Sequence, residues 1–186
     1  MDEIKGARVA ILVENLYQEL ELHYPLLRLR EAGATVTLVG PAGGQTYQSK
    51  HGYPAKADRA GADVSAADFD AVVVPGGYAP DLMRRDPSLV RLVRDADAQG
   101  RIVAAICHAG WMLVSAGIVK GRRATCFHSI KDDLIAAGAR YEDSPVVRDG
   151  NLITSRQPDD LPAFCAEIIG ALAGSKTRER EAVAAR

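Results

Sequence analysis

Cysteine is scarce in this chain. Only Cys107, Cys126 and Cys165 occur among 186 residues. An odd, widely spaced set makes no disulfide framework, and no CxxC or Cys/His cluster has zinc spacing, so free thiols in a reducing compartment and no bound metal are expected. Long apolar runs are missing too. None approaches the roughly 18 residues of a membrane span, which argues against a membrane partner. The opening stretch MDEIKGARVAILVEN starts acidic and lacks the apolar core and small-residue cleavage site of a secretory signal, so the cytoplasm is the expected location. Charge of one sign is also absent: 23 Lys and Arg face 24 Asp and Glu, a formal net charge of −1. That balance removes the electrostatic footprint of a nucleic-acid binder. There is no phosphate-cradling loop, since Gly76-Gly77 alone is too weak a signal, and no organic cofactor is expected. With no repeats and no linker, one α/β domain over 1–174 is expected, followed by a charged tail over 175–186.

What is present is a succession of short apolar runs separated by amphipathic stretches. Arg8–Val13, Thr35–Val39, Ala71–Val74 and Ile102–Ile106 read as strands covered on both faces. Lys50–Asp58 reads as extended. Helical spacing is predicted for about 19–31, 87–99, 109–116, 130–137 and 162–173, several of them stopped by glycine. Residues 146–155 read as a hairpin around Asp149-Gly150-Asn151. Strands alternating with helices imply a mostly parallel sheet between helical layers. In such sheets sites form beyond the carboxyl ends of the strands. That rule selects the positions after Val13, at Pro75-Gly76-Gly77 and at Cys107-His108.

Cys107 stands between a buried strand and a helix. Ala105 and Ala109 flank it at the spacing of the small residues in a nucleophile elbow, where bulk would block the turn. The N-terminal end of the following helix is expected to favour the thiolate. A free cysteine is otherwise more often an inert buried residue. Gly76 and Gly77 let a backbone N–H approach a developing oxyanion, with the His108 N–H as second donor. Glu21 lies after the first strand, but nothing in the sequence alone separates it from Glu14, Glu19 or Glu31. His108 adjoins the nucleophile, with His23, His51 and His128 as alternatives of more structural or surface character.

The segments ELELHYP (19–25), KHGY (50–53), VPGGYAPD (74–81), AICH (105–108), IKDD (130–133) and VRDGN (147–151) occur in this order. Together they resemble the PfpI family, the intracellular-protease-I-like branch of the superfamily that includes the parkinsonism-associated deglycase. The resemblance covers roughly 8–173. It implies a flavodoxin-like three-layer α/β/α sandwich and a homo-oligomer, either a dimer or an assembly of dimers. It also implies a cysteine on a strained nucleophile elbow. By position, Cys107 would be the nucleophile and Glu21 the carboxylic acid bonded to its sulfur. His108 would be the adjacent histidine, and Asp81 the acidic residue that reaches it from a neighbouring subunit. The chain departs from relatives at Gln18, where some carry glutamate, and at Phe127, where many carry tyrosine. Cys126 and His128 are unusual neighbours.

Such a constellation suits a cofactor-independent enzyme acting on a small aldehyde such as methylglyoxal or on early glycation adducts, in the manner of a glyoxalase III or a deglycase. The same nucleophile suits an oligomer-dependent cysteine peptidase built on Cys107, His108 and Asp81, whose substrate would be a protein or peptide. A redox-sensing or chaperone stress protein is the alternative of another class, with Cys107 forming a sulfinic acid beside Glu21. A glutamine amidotransferase is disfavoured, because Thr154-Ser155-Arg156-Gln157-Pro158 lacks the late histidine of that class.

Overall fold

The computed structural model describes residues 2–184. Its elements are β1 (Arg8–Leu12), α1 (Glu19–Glu31), β2 (Thr35–Gly40), β3 (Thr46–Gln48), β4 (Pro54–Lys56), β5 (Arg59–Ala60), β6 (Ala71–Val74), α2 (Ala79–Met83), α3 (Pro87–Ala98), β7 (Ile102–Ile106), α4 (Gly110–Ala116), β8 (Arg123–Ala124), α5 (Lys131–Ala136), β9 (Arg140–Tyr141), β10 (Val146–Asp149), β11 (Leu152–Ser155) and α6 (Leu161–Ala184).

Seven strands form the central sheet in the order β10-β11-β7-β6-β1-β2-β5. All its pairings are parallel except β10 with β11, the hairpin anticipated around Asp149-Gly150. Helices α1 and α6 pack on each other against one face, while α3 and α4 pack on each other and on β6 and β7. This is the α/β/α sandwich. Every residue of β6 and β7 is buried, which is why both read as unbroken apolar runs. The chain leaves β1 for β2 on one side and later returns to β6 on the other. The crevice therefore opens at the carboxyl ends of β1 and β6, beside β7.

Some elements differ from expectation. The extended stretch over 50–58 is instead the second arm of a hairpin, β3 with β4, whose connecting loop turns at Gly52 with φ +84. The short α2 and the two-residue pair of β8 with β9 carry no sequence period. A 3-10 turn over Cys107–Ala109 delays α4 to Gly110. Helix α6 does not stop near Ala173 but runs to Ala184; the last two residues of the expected tail lie outside the described residues. Among the described residues no helix is long and apolar enough to cross a membrane.

Candidate active site

Cys107 leaves the end of β7 with φ 62, in the left-handed region that costs a non-glycine residue about 1–2 kcal/mol. The buried β7 holds it there from one side. From the other, the Phe127 N–H bonds the Cys107 carbonyl at 3.2 Å. The cysteine is 7% exposed and so is buried apart from a small part of its surface.

Glu21 lies in the first turn of α1, where the Gln18 side chain caps the helix by accepting the Glu21 N–H at 2.9 Å. Its carboxyl is fully buried. Oε2 accepts the Gly76 N–H at 2.7 Å, and Oε1 has no hydrogen-bond partner. A buried carboxylate oxygen without a donor is costly, so Oε1 is the atom suited to carry a proton. Burial accordingly lifts the Glu21 pKa from 4.5 to about 7, against the opposing pull of the Gly76 N–H, Cys107 and Lys50.

The surroundings act on the Cys107 sulfur in opposing directions. Burial first, and the Glu21 carboxylate second, push the Cys107 thiol well above its ordinary range. The Gly77 and His108 N–H groups pull the other way and do not prevail. The intervening 3-10 turn and the brevity of α4 leave little helix dipole at the sulfur. The groups beside the sulfur that could exchange a proton with it are Glu21 and His108. His108 Nδ1 lies 3.2 Å from Sγ.

The glycines divide their work differently from the expected pairing. The Gly76 N–H is taken by Glu21, and the donors that face the sulfur are those of Gly77 and His108. A Cβ on Gly76 would stand 2.6 Å from Glu21 Oε2 and 2.7 Å from Cys107 Cβ. Gly76→Ala is therefore expected to cost about 1–3 kcal/mol of stability, read by urea denaturation, together with most of the activity. A variant as stable as the parent would mean that this contact yields easily. Gly77 has φ +76, and a Cβ there would meet the Leu16 carbonyl at 2.5 Å. Leu16 is itself left-handed at φ 65.

The His108 ring is boxed in. Phe127 stacks on it at 5.0 Å and 27°, Trp111 meets it edge-on at 5.2 Å, and Tyr78 lies 6.3 Å away. Burial, then His128 and Lys50, hold its pKa below the usual imidazole value. Asp81 is not part of this cluster within one chain; its half-exposed carboxylate pairs with Arg85 at 2.6 Å. The other histidines are accounted for locally. His23 sits by Tyr17 and Tyr53, and His51 pairs with Glu19 at 2.9 Å. Burial alone would raise Glu19, but hydrogen bonds from Ser49 and His51 prevail and hold it at about 2. That cluster ties down the loop carrying Lys50, whose field reaches both Glu21 and His108. Among the described residues no group of three or more His, Cys, Asp or Glu is placed to hold a metal ion.

Sequence reasoning passed over Lys50, Tyr78, Trp111 and Ser129, whose Oγ lies 3.2 Å from His108 Nε2. Ser129 follows the Cys126-Phe127-His128 stretch already marked as unusual, and that was the available signal.

The family model described as DJ-1/PfpI family matches residues 7–171. The chain belongs to the DJ-1/PfpI family. Two curated relatives illustrate it. The putative cysteine protease YraA of Bacillus subtilis is 39% identical over 165 residues, 89% of this chain and 98% of that one. The deglycase PfpI of Pyrococcus furiosus is 40% identical over 162 residues, 87% of this chain and 97% of that one. Among solved structures, Drosophila melanogaster DJ-1beta superposes with a TM-score of 0.85 at 33% identity, covering 94% of this chain and 95% of that one. The DJ-1/PfpI match takes in Glu21, Gly76, Gly77, Asp81, Cys107 and His108, and leaves out the far end of α6.

Proposed function

We propose that the protein is a cofactor-independent enzyme that uses Cys107 to attack reactive carbonyls, either a free dicarbonyl such as methylglyoxal or an early glycation adduct. The observation that carries this reading is the placement of Cys107 Sγ on a left-handed elbow, 3.2 Å from His108 Nδ1 and beside a buried carboxyl with a pKa of about 7. In the reaction with methylglyoxal, Nδ1 takes the thiol proton as sulfur bonds to the aldehyde carbon. The Gly77 and His108 N–H groups are the nearest backbone donors for the resulting alkoxide. Protonated Glu21 supplies the proton that makes it a hemithioacetal. Moving hydrogen from the former aldehyde carbon to its neighbour gives the lactoyl thioester. Water then releases lactate and restores the thiol, so methylglyoxal plus water balances to lactic acid. The name of the Pyrococcus furiosus relative supports the glycation-adduct branch.

A cysteine peptidase is the second reading, supported by the same sulfur–imidazole pair and by the name of the Bacillus subtilis relative. It would draw on Asp81 of a second copy. The exposed apolar stripe Leu20, Tyr24 and Leu27 along α1 supports a homo-oligomer. The deciding experiment is lactate formation from methylglyoxal by wild type and Cys107→Ala, with folding followed by circular dichroism. Turnover confined to the wild type is expected; two folded proteins with no turnover would remove the carbonyl reading and leave the peptidase.

A further inference from the structure

Among the described residues, two that are not glycine lie in the left-handed region, Cys107 at φ 62 and Leu16 at φ 65. The elbow accounts for the first. Nothing in the reaction described above uses the second. Leucine gains nothing locally from this conformation, which glycine or asparagine adopts with far less strain. Two backbone bonds hold Leu16 in it. Its N–H donates to the Gln48 carbonyl at 2.7 Å, and its carbonyl accepts the Tyr78 N–H at 2.9 Å. The Gln18 N–H reaches the Gly76 carbonyl at 3.2 Å, and Tyr17 pairs antiparallel with Gly77. Leu16 therefore stands opposite Tyr78, on the segment that runs beside Gly76 and Gly77. The strain does not serve the core, because Leu16 is 44% exposed and Tyr78 is 62% exposed. The Tyr78 ring lies 6.3 Å from the His108 ring, whose other neighbours are Phe127 and Trp111. The approach to Cys107 is thus lined by apolar and aromatic side chains. Strain kept at such a place, with no burial to offset it, points to contact with something that binds there.

We propose that Leu16 is a specificity-determining residue: with Tyr78 it forms an apolar lip that selects carbonyl substrates bearing an aryl or branched alkyl group over unsubstituted ones. The inference rests on the reading of Cys107 as a nucleophile toward carbonyls. The substrate class is a 2-oxoaldehyde R–CO–CHO in which R is apolar. With water it gives the 2-hydroxy acid R–CHOH–COOH, and the atoms balance as they do for methylglyoxal. When sulfur bonds the aldehyde carbon, R is carried on the next carbon, at the mouth of the crevice. A polar side chain at position 16 would hold water there and resist an apolar group. Leucine releases its water at no cost, and the burial of R against it contributes to binding. A glycine or asparagine would relieve the backbone and forgo that contact, so the leucine side chain is what the strained position gains.

The test compares phenylglyoxal with glyoxal, and N-phenylmaleimide with maleimide. The first pair reads turnover as a ratio of kcat/KM values. The second reads access to Cys107 by mass spectrometry of its peptide and needs no catalysis. Leu16→Asn accepts a left-handed backbone without the apolar side chain, so its urea midpoint should be at or above that of the wild type. Its phenylglyoxal-to-glyoxal ratio should fall about tenfold, mostly through KM. Its N-phenylmaleimide-to-maleimide ratio at Cys107 should fall severalfold. Leu16→Met keeps the apolar bulk and should hold both ratios within about twofold. An unchanged maleimide ratio in Leu16→Asn would overturn the proposal. So would a fallen ratio accompanied, in sedimentation velocity, by dissociation of an oligomer, which would assign Leu16 to a contact between copies of the chain. Absence of dicarbonyl turnover in every protein, with the maleimide shift intact, would strike the carbonyl reading and leave Leu16 as the apolar lip of the Cys107 site.

Discussion

Cys107→Gly is expected to abolish turnover and, relative to Cys107→Ala, to give the more stable protein. Both substitutions remove the sulfur, and loss of the nucleophile should lower lactate formation by at least about a thousandfold. They differ in backbone. Alanine at φ 62 keeps the left-handed strain of roughly 1–2 kcal/mol, whereas glycine adopts that conformation freely. Glycine in turn loses about 0.5–1 kcal/mol more chain entropy on folding, which leaves it ahead by about 0.5–1 kcal/mol. Urea denaturation of the two inactive proteins measures the difference directly. A glycine variant no more stable than the alanine one would show that the elbow is not strained, and the argument for a nucleophile held under tension would lapse.

The second large effect belongs to Glu21. Its folded pKa of about 7 lies above the ordinary 4.5 because burial disfavours the anion. The folded state therefore binds more protons than the unfolded chain between these values, and stability falls as pH rises through that window. Below about pH 4.5 the group is neutral in both states and carries no penalty. Above about pH 7 the full penalty applies, about 3 kcal/mol from the shift. Glu21→Gln keeps an acceptor for the Gly76 N–H but cannot ionise. Its stability relative to wild type should be roughly level at pH 4.5 and should climb to a gain of about 3 kcal/mol by pH 8. Activity should drop by about a hundredfold across the range, because glutamine cannot hand over a proton. A stability difference that does not change with pH would mean that Glu21 is solvated and not the buried acid described.

Part of this could be read from the residues alone. The elbow was legible because β6 and β7 are covered on both faces, so their composition alone marks them, and because Ala105 and Ala109 leave room for the turn. Glu21 was not legible from periodicity. Its neighbours Glu19 and Leu20 share the same short turn, and only the packing of Gly76 against its carboxyl separates a buried acid from a surface one. The surroundings of Cys107 were not legible for a related reason. A strand followed by a helix hints at a dipole, but the sulfur's surroundings depend on groups 86 and 31 positions away, Glu21 and Gly76, that no local pattern connects to it. The pair β8–β9 is two residues per strand, too short for alternation to register. Helix α6 outran its expected end because its apolar period fades after Leu172 while its backbone continues.

The strand order has a consequence for the newborn chain. Strand β7, which delivers Cys107, is bordered on one side by β6, synthesised before it, and on the other by β11, which emerges only with residues 152–155. During translation the thiol therefore leaves the ribosome on a strand with one open edge, with Glu21 already made and the loop bearing Ser129 still to come. Domains complete themselves as their last elements arrive. Until the final hairpin closes, one edge of β7 lacks its partner strand, and the cysteine at its end lacks part of the sheet it sits on in the finished fold. The surroundings of this cysteine are completed only with the last fifth of the polypeptide.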